Sequence, residues 1–296
     1  MNATLKAVAL AVLPPIVVSG LRNLVRREHV SVPLGKGTSR LKPEWEMVHD
    51  TDEVWRQSEG WSHASIANRQ TEKWDAFLAD LVSPGAFGRS HEAALDAPID
   101  VGPHNTIMTF AYVMGRLLSE ASQGSQPSVL DWGGGIGHYY RYAMALYPDS
   151  SLRYVIKDLL PLCEAGRPLN PGAVFEADET KALATPSDLV FASSSLHYTR
   201  DVYRLTERLL TASRRYFMVT RTPFVEQHDD FVVVQRPYRY GYMTEYAAWF
   251  LNRSRFVSFV TARGFTLERE FLLSEQPYVS NAPEQCRYRG FLFKHS

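Results

Sequence analysis

The chain has 296 residues, 45% of them hydrophobic, enough for one large domain or two small ones with a proper core and nothing that suggests disorder. Lys+Arg and Asp+Glu balance at 32 each, which argues against a broad electrostatic footprint for DNA or RNA and favours a small or neutral partner. Cys163 and Cys286 are the only cysteines, so there is neither a disulfide framework nor a zinc set, and no other residue group argues for a metal.

Residues 1–50 read as an appendage. The apolar run Ala7–Val18 (AVALAVLPPIVV) is too short to span a bilayer and is broken by Pro14-Pro15. Only Lys6 precedes it and no clear cleavage site follows, which disfavours a signal peptide. It reads as a helix docked on the protein's own core or a partner subunit, ahead of a weak membrane-surface anchor helped by Arg22, Arg26 and Arg27. The cytoplasm is the default compartment, with a membrane-peripheral location as the variant. Asp52–Leu81 has helical texture, with Trp74, Phe77 and Leu81 at i, i+3, i+7 and Trp55 and Trp61 as further anchors; core packing is their stronger reading. Ser83–Pro103 reads as loop and Asn105–Ala121 as a helix whose Ile107, Phe110, Met114, Leu117 and Leu118 share a face. The division is a helical extension over 1–103, serving as lid or dimerisation region, and a second domain over 104–296 with an aromatic insertion at about 224–252.

From Val129 onward, apolar runs and helical stretches alternate, the signature of a parallel α/β sheet. Strands are predicted at Val129–Asp131, Leu152–Ile156, Ala173–Phe175, Pro186–Ser195 and Tyr216–Thr220, with helices at Tyr139–Tyr147, Leu162–Arg167 and Val202–Ser213 between them. After the insertion come helix Arg253–Arg263, its stop Gly264, and two antiparallel strands, Thr266–Leu273 and Arg287–Phe293. Ligands of such sheets collect over the carboxyl ends of the strands.

The most informative stretch is Ser128–Tyr140, SVLDWGGGIGHYY: a buried strand ending in Asp131, then glycines at 133, 135 and 137, then a helix start. A dinucleotide fingerprint needs glycine at the sixth position from Gly133, where His138 stands, and no Gly-Lys-Ser/Thr follows for a P-loop. The motif that does stand, D-x-G-x-G-x-G, resembles motif I of class I S-adenosylmethionine-dependent methyltransferases. The resemblance covers about Asn105–Phe293 and implies a Rossmann-like class I sheet, mostly parallel with an antiparallel last strand. It further implies S-adenosyl-L-methionine as cofactor, with Asp131 beside the methionine moiety and Gly133, Gly135 and Gly137 making room for it. Asp158, at the tip of the second strand, is placed for the ribose hydroxyls, although Lys157 beside it departs from the acid often found there. Asp178 would face the adenine, an ordinary turn acid being the equal alternative, and Ser194 lies at the tip of the fourth strand, which faces cofactor and acceptor. A narrower resemblance, carried by the N-terminal LPP, the long prefix, LDWGGGIGHYY, CEAGR and YAAWFLN, is to a bacterial methyltransferase family linked to surface-polysaccharide biosynthesis. It implies a saccharide or other small-molecule acceptor.

Methyl transfer is an in-line displacement that needs alignment, and a base only where the acceptor is a hydroxyl or must lose its proton early. Histidine suits that role near neutral pH, and His197, then His228 beside Asp229-Asp230, then His138 are the candidates; each also has an ordinary packing or surface reading. Arg221 after the fifth strand, and Tyr242 and Trp249 in the aromatic insertion, are candidates for an acceptor pocket, with core packing or a dimer surface competing. Two rival functions remain: a non-catalytic binding or scaffold protein on the same fold, and an NAD(P)-dependent oxidoreductase.

Overall fold

A computed structural model of the chain describes residues 42–57, 59–89, 97–122 and 124–296; the apolar run Ala7–Val18 and Arg22, Arg26 and Arg27 lie outside these residues. Strand β1 (Trp45–Met47) precedes three short helices, α1 (Thr51–Gln57), α2 (Ala64–Glu72) and α3 (Trp74–Val82), in the stretch with helical periodicity. Helix α4 (Val101–Ser119) starts ahead of the expected Asn105 because the Asp100 carboxylate accepts from Gly102 N–H and caps it within the stretch read as loop. Then β2 (Ser128–Trp132), α5 (His138–Leu146), β3 (Arg153–Lys157), α6 (Leu160–Leu169), β4 (Val174–Glu176), α7 (Glu179–Leu183), β5 (Ser187–Ser193), α8 (Val202–Thr211) and β6 (Ser213–Val225) alternate. Strands β7 (Phe231–Gln235) and β8 (Tyr246–Asn252), helix α9 (Arg253–Thr261), and strands β9 (Phe265–Leu272) and β10 (Arg287–His295) complete the order.

The sheet runs β4-β3-β2-β5-β6 in parallel, and β10 then lies antiparallel between β6 and β9. It is the Rossmann-like α/β sheet that the motif I resemblance implied, with its final strand antiparallel. Within the aromatic insertion, β7 and β8 pair antiparallel, and β1 adds to β7. Strand β8 pairs in parallel with Phe224 and Val225 at the end of β6. Those added partners explain why β6 continues past Thr220, where its apolar run seemed to end.

The two faces of the sheet follow the period-2 alternation of its strands. Val129, Leu189, Phe191 and Met218 face α4, α5 and the prefix helices, meeting Phe110, Val113, Met114, Tyr139, Ile66, Trp74 and Phe77. Leu130, Val190, Ala192, Phe217 and Val219 face α8 and α9, meeting Leu205, Leu209, Phe256 and Val260. Each large apolar side chain buried this way contributes about 1.5–3 kcal/mol. The prefix helices α2 and α3 therefore belong to the same packed layer as α4 and α5. Among the described residues no helix is long and apolar enough to cross a membrane.

Candidate functional site

Four of the five residues in the turn between β2 and α5 are glycine, and the fifth, Ile136, is fully buried in the core. Gly133, Gly135 and Gly137 hold φ of 72°, 60° and 102°, in the left-handed region that glycine alone enters freely. A Cβ on Gly133 would fall 2.2 Å from Ser195 Cβ, and one on Gly134 would fall 2.6 Å from Asp131 Oδ2. The loop is pinned from below by Gly133 N–H donating to Lys157 O at 2.8 Å. Gly135 N–H donates to Asp158 Oδ2 and Leu159 N–H to Asp158 Oδ1, both at 2.7 Å. Burial raises the Asp158 carboxyl above its usual range, against the pull of those two N–H groups.

Over this loop lies a cavity of about 260 Å³, at the carboxyl ends of β2, β3 and β5 as the switch-point rule requires. Gly133, Gly134 and Gly135 form one wall, and Trp132, Lys157 and Asp158 follow at the tips of β2 and β3. Lys157 Nζ stands 4.9 Å from the centre of the Trp132 ring, so its charge rests on that indole. Ser193, Ser194 and Ser195 come from the end of β5, and Leu159 and Leu162 supply apolar contact. Two lining residues come from the prefix: Trp61, stacked on Tyr246 at 4.8 Å and 21°, and Gln70 at the end of α2. Gln70 is 5% exposed and its Oε1, 3.1 Å from where a Gly135 Cβ would stand, has no hydrogen-bond partner.

Of the expected cofactor residues, Gly133, Gly135, Asp158 and Ser194 line this cavity. Gly137 does not; it is the N-cap of α5, packed against Asn170. Asp131 lies behind the loop rather than in the cavity wall. It is 1% exposed and accepts from the Tyr154 hydroxyl through Oδ2 at 3.1 Å, with Oδ1 unpartnered. Burial pushes its pKa up to about 8, with the Tyr154 hydrogen bond opposing and Asp158 adding to the rise. Asp178 is corrected to a capping residue: exposed, it accepts from Lys181 N–H at the start of α7, and the next residue, Glu179, lines the cavity instead.

The histidines sort differently from their expected order. His197 lies in the one-turn helix Leu196–Tyr198 and is fully buried, with neither ring nitrogen hydrogen-bonded. Burial, with the Arg221 charge adding, drives its pKa down to about 3, so at neutral pH it is an uncharged ring packed 4.0 Å from that of Tyr198. It does not line the cavity and is no base for it; Tyr198, the next residue, is the one that lines it. His228 sits on an exposed turn, its backbone N–H donating to Glu284, and does not line the cavity. The Asp230 expected to raise its basicity instead accepts from the Tyr203 hydroxyl and pairs with Arg255. His138 does line the cavity, 5% exposed and edge-on to Trp74 and Phe77.

Arg221 also reaches the cavity, at a φ of 50° that is strained for a residue with a side chain, and its Nε donates to Glu275 Oε1 at 2.9 Å. Ser194 is likewise left-handed, at 51°. The other expected acceptor residues are corrected. Tyr242 is 1% exposed, turned inward after the left-handed Gly241 into the core beside Trp61. Trp249 donates its Nε1–H to Arg200 O, away from the cavity. Sequence reasoning missed Gln70 and Glu179 as cavity residues and read Trp61 as core; Gln70 carries no pattern that could mark it.

No family model matches the sequence, and no curated protein does. Among solved structures, the mitomycin 7-O-methyltransferase MmcR is 15% identical, over 77% of this chain and 68% of that one, with a TM-score of 0.40. An S-adenosylmethionine-dependent methyltransferase from Clostridium acetobutylicum is 10% identical over 65% of this chain and 90% of its own, at 0.41. The complex of LepI with SAM is 13% identical over 78% of this chain and 64% of that one, at 0.43.

Proposed function

We propose that this chain binds S-adenosyl-L-methionine in the glycine-walled cavity and transfers its methyl group to a hydroxyl of a saccharide or other small metabolite. The observation that carries this reading is the charge and donor balance of the loop. In a diphosphate site the backbone N–H groups of the loop point at the ligand. Here the Gly133 and Gly135 N–H groups are already taken, by Lys157 O and the Asp158 carboxylate, and the buried cavity acceptor Gln70 Oε1 lacks a donor. Such a loop offers few free donors to a diphosphate and suits a donor-bearing ligand, which disfavours the NAD(P) alternative.

When bound, the cofactor supplies an electrophilic sulfonium methyl. Asp158, at the tip of β3, would accept the ribose hydroxyls, while Gln70 would take a donor on the side of Gly135. Trp61, Trp132 and Leu162 exclude water from the pocket, which strengthens every electrostatic contact inside it. His138, which lines the cavity, would be the histidine to take the acceptor's proton, His197 being buried outside it. The small-molecule acceptor, the absence of a nucleic-acid partner, a homodimer and a cytoplasmic or membrane-peripheral location remain parts of the proposal, as does the link to surface polysaccharide.

The test is calorimetric titration with S-adenosylmethionine and S-adenosylhomocysteine. The full chain binds both, and Asp158→Ala weakens them about a hundredfold, because it also orphans the Gly135 and Leu159 N–H groups. Binding of NADH in their place would overturn the reading. The sequestered His197 favours one second reading, a binding protein without turnover. Release of S-adenosylhomocysteine in cell extract, lost in Asp158→Ala, excludes it.

A further inference from the structure

A second cavity, of about 410 Å³, opens on the other side of the wall formed by Ser194, Tyr198 and Arg221. That wall is common to both chambers, and two of its three residues hold the left-handed backbone angles noted above. They sit at the tips of adjacent strands, Ser194 after β5 and Arg221 in β6, where β6 turns from its pairing with β5 to its pairing with β8. Non-glycine residues held in this way persist only where the surroundings over-determine them, and here both face two cavities at once. Tyr198 is fixed as well, its hydroxyl donating to Gln235 Oε1 at 2.8 Å.

We propose that this second cavity is a binding site for a neutral ring compound bearing hydroxyl groups, seated against the shared wall. The chemical class follows from the lining. Its charges are matched within the protein, Arg221 by Glu275 at 2.9 Å and Arg239 by Glu44 at 3.1 Å. A charged ligand would compete with the Arg221–Glu275 pair, whose arginine side chain is 12% exposed, a cost that a neutral ligand avoids. The remaining surface combines aromatic faces, Trp45, Tyr240 and the 74% exposed Tyr278, with the amides of Gln235 and Gln276. Aromatic faces hold flat apolar ring surfaces, amides both give hydrogen bonds to hydroxyls and receive them, and carboxylate lone pairs receive them. The volume is in the range of small-molecule sites. The assignment rests on and deepens the methyl-transfer reading, since an acceptor seated here would touch Ser194, Tyr198 and Arg221, which also line the cofactor cavity, but the binding itself is measurable without turnover.

The experiment is saturation-transfer NMR on the full chain, with and without S-adenosylhomocysteine, using 4-methylphenol and methyl β-glucopyranoside as the two neutral arms. The controls are 4-methylbenzoate and 4-methylbenzylammonium, which carry opposite charges on a similar ring. At least one neutral probe receives saturation while both charged controls receive less, and which arm responds tells a phenol from a sugar. Tyr278→Ala, at an exposed position that leaves the core untouched, weakens that probe about fivefold and leaves S-adenosylhomocysteine binding unchanged. The proposal falls if neither neutral probe binds, if a charged control binds as well, or if Tyr278→Ala and Tyr240→Ala both bind like the wild type. Should S-adenosylhomocysteine fail to bind while a neutral probe still does, the methyl-transfer reading falls and the second site stands.

Discussion

Asp131 should make the folded chain less stable as pH rises, and Asp131→Asn should abolish that effect. In the folded protein burial holds its pKa near about 8, against an ordinary value of 3.8. An acid whose folded pKa is raised keeps its proton in the native state where the unfolded chain has lost it, so stability is full at low pH and falls as pH climbs towards the folded value. The slope is one proton, about 1.4 kcal/mol per pH unit. His197 has the opposite sign. Its folded pKa of about 3 lies below the ordinary 6.5, so the unfolded chain binds the extra proton and stability rises with pH up to 6.5. The two slopes oppose each other on the acid side, which leaves pH 6.5 to 8 as the window in which Asp131 acts without His197. Over that window the wild type should lose about 1.5 kcal/mol relative to Asp131→Asn. Titrating groups that do not interact with Asp131 are common to both proteins and cancel in the comparison, Asp158 and Tyr154 being the coupled ones. Urea unfolding followed by tryptophan fluorescence, at closely spaced pH values, gives the difference directly. If it stays constant with pH, the carboxyl is already ionised at pH 6.5 and the buried, neutral Asp131 is wrong.

His197→Leu should leave S-adenosylhomocysteine release within about threefold and stabilise the chain at pH 5 by on the order of 1–2 kcal/mol, because it removes a buried ring without hydrogen bonds. A hundredfold loss of turnover would return this histidine to the role of base. Gly134→Ala should destabilise by about 1–3 kcal/mol in urea unfolding, since its methyl would meet the buried Asp131 carboxyl, which has no room to move; unchanged stability would show a softer loop. Trp61→Ala should weaken calorimetric S-adenosylhomocysteine binding about tenfold with the far-UV circular dichroism unchanged, and equal affinity would remove the prefix from the cofactor site.

The parts of the chain that could be read in advance are those where one physical requirement dominates a short stretch. Alternating glycines behind Asp131 leave few conformations other than the left-handed turn observed, and Asp158 follows a strand whose period and length are plain. Facing was harder. In the single turn Leu196–Tyr198, a rotation of one residue decides whether His197 or Tyr198 meets the cavity, and the same ambiguity separates Asp178 from Glu179. No local pattern resolves it: the His197 ring meets Tyr288 from far along the chain, and Asp178 is engaged as the cap of α7. Trp61 and Gln70 were hidden for a related reason: an apolar anchor and a helical amide look alike whether they meet a protein core or a ligand. The aromatic segment misled through its composition, since Tyr246 and Phe250 are buried in β8, within strand pairing that β1 and β6 complete, and Tyr242 in the core beside Trp61.

Strand β6 is a single beam of 13 residues that joins the parallel sheet to the added strands. Its Arg221 faces both chambers from a strand paired on both sides, while Ser194 past the end of β5 and Tyr198 in the one-turn helix complete the partition. Replacements at the exposed Tyr278 would therefore alter the second chamber without touching that partition. A scaffold of this kind lets selectivity drift between descendants without rebuilding the core.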